Sequence, residues 1–83
     1  MRRLILFGTD GCHLCDLAEQ AVRQWLAQWP TPVALDQADI SDNEDWMHRY
    51  AVRIPVLRDQ LTGLELDWPF GPEQLDSFLA PHH

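Results

Sequence analysis

Hydrophobic residues change their spacing along the chain, and the changes predict its elements. A continuous apolar run, Leu4-Ile5-Leu6-Phe7, comes first. Because it does not alternate, it predicts a central strand from Arg3 to Gly8, covered on both faces. After the polar loop Gly8-Thr9-Asp10-Gly11 the period lengthens. Leu14, Leu17, Ala18, Ala21, Val22, Trp25, Leu26 and Trp29 recur at helical spacing, with Asp16, Glu19, Gln20, Arg23, Gln24 and Gln28 on the other side. That pattern predicts an amphipathic helix from about Cys12 to Trp29, ended by Trp29-Pro30-Thr31-Pro32. Trp25 and Trp29 are expected to pack against the sheet.

Val33 to Ile40 alternates poorly and predicts an edge strand. With a helix between them, the first two strands run parallel through a right-handed crossover. Ser41-Asp42-Asn43-Glu44 reads as a capping box that opens a second helix to about Ala51, with Trp46, Met47 and Tyr50 inward. Val52-Arg53-Ile54-Pro55-Val56-Leu57 is strand-like but contains Pro55, which normally demotes such a run. A cis Ile54–Pro55 bond at the start of a strand reconciles the two, although the statistics of X–Pro bonds alone favour trans. Arg58 to Gly63 predicts a hairpin turn and Leu64-Glu65-Leu66 its partner strand. Trp68-Pro69-Phe70-Gly71-Pro72 reads as a rigid link. Pro72 fits the first position of a last helix to about Ala80, with Leu75, Phe78 and Leu79 inward. His82 and His83 read as a frayed tail.

With 83 residues, the sequence implies a single domain, 1–83, whose core is thin. Thirteen acidic residues against six basic give a net charge of −7, which argues against nucleic acid or an anionic membrane as partner. No segment nears the roughly 20 apolar residues of a membrane span. Arg2-Arg3 with Leu4–Phe7 is too short for a signal peptide, so a cytoplasmic protein is expected; a monomer is the separate expectation for its assembly. In that compartment two cysteines point to catalysis or metal binding rather than to a permanent staple.

Both cysteines lie in Thr9-Asp10-Gly11-Cys12-His13-Leu14-Cys15-Asp16, where the first strand gives way to the first helix. The apolar stripe centres roughly 20° from Leu14, which puts Cys15 about 80° and Cys12 about 140° from it. Cys12 is therefore expected to face outward at the helix start, and Cys15 to lie at the edge of the buried face. Unpaired N–H groups and the positive end of the helix dipole favour an anion at Cys12, which makes Cys12 the nucleophile. Cys15, one turn on, can resolve a mixed disulfide. Asp10 and Asp16 oppose that effect. Gly11 permits close backbone approach. His13 is either an imidazolium that stabilises the thiolate or a solvent-exposed histidine of minor effect. Arg53 either adds positive charge near the site or is an ordinary surface arginine.

The order strand, Cys-x-x-Cys, helix, strand, helix, Ile-Pro-Val strand, strand, helix resembles a glutaredoxin-like member of the thioredoxin-fold superfamily over nearly the whole chain. The residues that carry the resemblance are Thr9-x-Gly11-Cys12-x-Leu14-Cys15 and Arg53-Ile54-Pro55-Val56. The resemblance implies an α/β fold with a four-stranded mixed sheet, helices on both faces and Pro55 in cis. It implies that Pro55 lies against the cysteine loop and that the Ile54 backbone pairs with a bound substrate strand. The departures are specific. His13-Leu14 stands where typical glutaredoxins have Pro-Tyr, and Asp67-Trp68-Pro69-Phe70-Gly71 where they place a glutathione-holding Gly-Gly-Asp. The lysine before the motif is missing. Function is therefore argued from the site.

The reading is a dithiol oxidoreductase with catalytic Cys12 and Cys15 and a substrate surface of Gly11, His13, Arg53, Ile54 and Pro55. No tightly bound cofactor is expected. Glutathione is a candidate co-substrate, a reductase the other candidate recycling partner, and a disulfide-bearing protein or a glutathione mixed disulfide the substrate. The alternative is a metal- or cluster-binding or interaction module with little turnover. A tetrahedral zinc site wants four ligands, and the two thiols with His13 do not provide a second spaced pair.

Overall fold

The computed structural model describes residues 2–79; the expected His82–His83 tail and the Ala80 end of the last helix lie outside them. The elements run β1 (Arg2–Gly8), α1 (His13–Leu26), β2 (Val33–Asp39), a 3-10 turn (Ile40–Asp42), α2 (Glu44–Tyr50), β3 (Val56–Asp59), β4 (Glu65–Asp67) and α3 (Pro72–Leu79). The sheet order is β2-β1-β3-β4. β1 and β2 are parallel, as a strand–helix–strand unit requires, and β1–β3 and β3–β4 are antiparallel. The central apolar run does what its lack of alternation implied. Leu4 and Leu6 enter one core with Ala18, Val22, Leu57, Phe70, Leu75, Phe78 and Leu79. Phe7 enters the other with Ile40, Tyr50 and Val56. Helices α1 and α3 cover the first face and α2 the second. In the second core Phe7 stacks on Tyr50 at 4.2 Å and meets Trp46 edge-on at 5.4 Å, geometries that add to area burial.

Four expectations are corrected. First, α1 is rotated about its axis from the expected stripe. Cys15, Ala18 and Val22 are its buried residues, while Leu14 and Leu17 are exposed. The large aliphatic residues had pulled the inferred centre toward Leu14, but the sheet accepts the smaller side chains. The helix also ends at Leu26. Its backbone then tightens to i→i+3 bonds, Gln28 to Trp25 and Trp29 to Leu26, before Pro30. Trp25 and Trp29 are partly buried against the first core.

Second, Ser41 does not cap α2. Asn43 is the N-cap, its Oδ1 accepting from the N–H groups of Asp45 (2.8 Å) and Trp46 (3.3 Å). Ser41 belongs to the preceding 3-10 turn, capped by Asp39. Third, Met47 is exposed, which leaves Trp46 and Tyr50 to face inward. Fourth, β3 begins at Val56 rather than Val52, because the Tyr50 carbonyl accepts from Arg53 N (2.8 Å) and Ile54 N (3.0 Å) and holds 51–54 in a turn. Arg58 and Asp59, read as turn residues, are paired in β3, and the reversal lies beyond them. Gly63, at φ +76°, donates its N–H to the Asp59 carbonyl, a left-handed position suited to glycine.

Candidate active site

The site forms where β1 ends. In the register of the sheet, Gly8 lies beside Asp39 of β2. Extending the Phe7–Val56 pairing by one residue puts Pro55 on the other side of Gly8. The three residues make a row across the sheet, and α1 starts above it. Gly8 has no Cβ because the space is taken: a methyl group there would sit 2.9 Å from Cys15 Sγ and 3.1 Å from Cys15 Cβ. Pro55 is fully buried, and the Ile54–Pro55 peptide is cis, as is Trp68–Pro69.

The loop then delivers the cysteines. Gly11 takes φ +78°, and Cys12 N donates to the Thr9 carbonyl at 3.3 Å, which closes the turn. Cys12 is the N-cap of α1, and its Sγ accepts the Cys15 N–H at 3.2 Å. Cys12 and Cys15 form a disulfide with Cα atoms 5.2 Å apart, inside the usual range. Cys12 is half-buried and Cys15 buried. The sulfur of Cys12 therefore occupies a position normally taken by a capping oxygen, where backbone N–H groups and the helix dipole favour negative charge.

The remaining residues singled out from the sequence divide. Gly11 precedes Cys12, and His13 follows it between the two cysteines as the exposed first residue of α1. Ile54 and Pro55 sit in the turn beside Gly8. Arg53 points its guanidinium at β4. Its Nη2 donates to Asp67 Oδ1 (2.7 Å) and Glu65 Oε1 (3.0 Å), and it lies 5.4 Å from the Tyr50 ring centroid. The hydrogen bonds to Asp67 and Glu65 raise its already high pKa, so its charge is engaged within the fold.

Two features escaped sequence reasoning. One is the close approach at Gly8, which sits at the end of a strand and looked like loop. The other is Asp39, whose Oδ1 accepts from Ser41 N (2.9 Å) and Ser41 Oγ (2.8 Å). These bonds, with weaker ones from Thr9 and the Asp10 backbone, hold its carboxyl below the ordinary aspartate range. Asp39 thus caps the 3-10 turn and lines the same groove as the cysteine loop. The Asp-x-Ser spacing is the signal that could have revealed it. Beside the disulfide a groove of about 760 Å³ is lined by Gly8, Thr9, Cys15 and four aspartates, Asp10, Asp16, Asp39 and Asp42. Among the described residues, no three His, Cys, Asp or Glu side chains gather to hold a metal ion.

Residues 3–80 match the family model described as Glutaredoxin-like domain (DUF836). The X-ray structure of protein XcR50 from X. campestris is 41% identical, with a TM-score of 0.77 over 94% of this chain and 99% of that one. Its solution structure is 40% identical, TM-score 0.72, over the whole of both chains. Protein Ne2328 from Nitrosomonas europaea, also solved in solution, is 26% identical with a TM-score of 0.80 over 95% of this chain and 92% of that one. No curated protein matches the sequence. With the model spanning nearly every residue and the paired cysteines in place, the chain belongs to the glutaredoxin-like family.

Proposed function

We propose that the protein is a thiol–disulfide oxidoreductase in which Cys12 attacks and Cys15 resolves. The observation that carries this reading is the place of the Cys12 sulfur. It caps α1 and receives the Cys15 N–H, on a residue that is only half-buried, while Cys15 is buried against Gly8. In the reduced protein the Cys12 thiolate attacks one sulfur of a substrate disulfide, and the other sulfur leaves as a thiol. Cys15 then attacks Cys12 Sγ, releases the second substrate thiol and closes the Cys12–Cys15 disulfide, so two electrons pass to the substrate. The partly buried Ile54 precedes Pro55 in the turn beside Gly8, and its backbone, with Gly11 and His13 of the cysteine segment, is the surface assigned to an extended substrate segment. The chain works as a monomer, without a bound cofactor, and is recycled by glutathione or by a reductase. None of the described helices is long and apolar enough to cross a membrane, and a reducing cytoplasm is the compartment in which a dithiol of this kind turns over.

The test compares reduction of an insulin-type protein disulfide with reduction of a small glutathione mixed disulfide, each with and without glutathione. Turnover of either substrate that is abolished in Cys12→Ser supports the reading. Activity on the glutathione mixed disulfide that survives in Cys15→Ser assigns the one-thiol route. Absence of turnover with both substrates overturns the reading.

A further inference from the structure

The surroundings of the disulfide are strongly unequal in charge. On the β2 side of Gly8 lies the groove that Cys15 shares with Asp10, Asp16, Asp39 and Asp42, and none of the described residues lining it is basic. On the β3 side Arg53, which precedes the Ile54–Pro55 turn, is already matched by Glu65 and Asp67. Asp39 is fixed by both donors of Ser41 and stays ionised at neutral pH. The disulfide itself marks the place where a partner must bind, and the carboxylates around it decide which partner is favoured.

We propose, resting on the dithiol reading above, that this groove selects cationic polypeptide disulfides: chains that carry Lys or Arg within a few residues of the cystine, whose side chains enter among the four aspartates while Cys12 engages the sulfur. A half-enclosed groove of one sign concentrates oppositely charged partners and speeds their encounter. Glutathione disulfide, with an excess of carboxylates over ammonium groups, is repelled by the same field. The exchange itself is unchanged. The partner's S–S bond breaks as the Cys12–partner bond forms, its leaving sulfur takes a proton from water, and closure of Cys12–Cys15 releases the second thiol. What the groove changes is the rate of productive encounter.

The experiment uses the whole chain, reduced with dithiothreitol and then freed of it. It is mixed with peptide disulfides of equal length flanked by two lysines, two glutamines or two glutamates, and with glutathione disulfide. Closure of the Cys12–Cys15 pair is followed by alkylation and mass measurement. At low ionic strength the lysine peptide is expected to react about tenfold faster or more than the glutamate peptide, with glutamine between and glutathione disulfide at the slow end. At about 0.5 M salt, where the screening length is only a few ångströms, the ratio shrinks toward unity. The Asp16→Asn/Asp42→Asn variant is expected to lose most of the preference. Glu73→Gln/Asp76→Asn, which removes as much charge from α3 away from the groove, keeps it. Equal rates for the three peptides at low salt, or an undiminished ratio in Asp16→Asn/Asp42→Asn, overturns the groove. If no disulfide closes the pair although both thiols remain open to alkylation, the dithiol reading falls, and the groove with it.

Discussion

The two ends of β1 are built from opposite choices. At the start, Arg2 donates through Nε (2.9 Å) and Nη2 (2.5 Å) to Asp59 and through Nη1 to the Leu79 carbonyl (3.0 Å). Asp59 is completely buried and also accepts the Leu61 N–H at 2.9 Å. One ion pair thus joins the first strand, the β3–β4 turn and the end of α3, and its hydrogen bonds are made within the fold. At the other end, six residues along the same strand, Gly8 makes room for Cys15, and Cys12 stays only half-buried. Saturated polar groups make an anchor; a reactive group left partly open makes a site. Removing one partner of a buried, fully paired charge costs far more than altering an exposed one.

The sharpest way to break the comparison is at the anchor. Asp59→Ala leaves the Arg2 guanidinium and the Leu61 N–H without their acceptor and is expected to cost about 3 kcal/mol. For a domain of this size that lowers the melting temperature by roughly 12–24 °C. The redox properties of whatever fraction stays folded should be unchanged, which thermal unfolding combined with thiol titration in redox buffers would check. A loss below about 1 kcal/mol would show that the two ends do not differ in this way. The complementary change is Gly8→Ala. Its methyl group meets Cys15 Sγ and Cβ at less than contact distance, which makes it an overpacking substitution costing about 1–3 kcal/mol. Here the oxidised form, whose Cys15 sulfur is fixed by its bond to Cys12, should lose more than the reduced form. The pair then becomes easier to reduce, a coupling that Asp59→Ala lacks. Equal destabilisation of both forms would show that Gly8 is an ordinary packing residue.

The same contrast explains what the sequence made legible. Elements with a continuous or helical apolar period, β1 and α1, could be read because the core accepts them through local pattern. Pro72 and the inward Leu75, Phe78 and Leu79 of α3 were readable for the same reason. Cys12 and Cys15 could be placed because their spacing and the strand-to-helix transition are both local. What could not be read depends on distant partners. Arg2 and Asp59 are 57 residues apart, and nothing in either neighbourhood announces the other. The rotation of α1 depends on how closely the sheet approaches Ala18 and Val22, a matter of three-dimensional fit rather than of period. Arg53 looked like a free charge until β4 supplied Glu65 and Asp67. Asn43 outcompeted Ser41 as a cap because Asp39 had already claimed Ser41.

Between the two ends lies a third polar cluster, where the smallest effect is expected. Tyr50 OH donates to Glu65 Oε2 at 2.5 Å and Arg53 donates to Glu65 Oε1, which fastens the end of α2 and the turn before Pro55 to β4. Burial pushes the Glu65 carboxyl up, but the Tyr50 and Arg53 hydrogen bonds together with the charges of Arg53 and Arg58 outweigh it and leave the group below its ordinary value. A carboxyl whose folded-state pKa is depressed contributes stability that is complete above the unfolded value, about 4.3, and is lost as pH falls through the folded one. Glu65→Gln keeps an acceptor but not the charge, so it should cost about 1 kcal/mol at pH 7. The cost should fade as the pH falls through the depressed folded-state value, where the native carboxyl itself becomes neutral. Denaturant unfolding of both proteins at pH 7 and at about pH 3 measures the difference. Because Glu65 holds the turn that carries Ile54 and Pro55 rather than the cysteines, Glu65→Gln should also slow reaction with an extended peptide disulfide more than with a small aliphatic one. An equal effect on both would place Glu65 with the anchor, as a residue of stability alone.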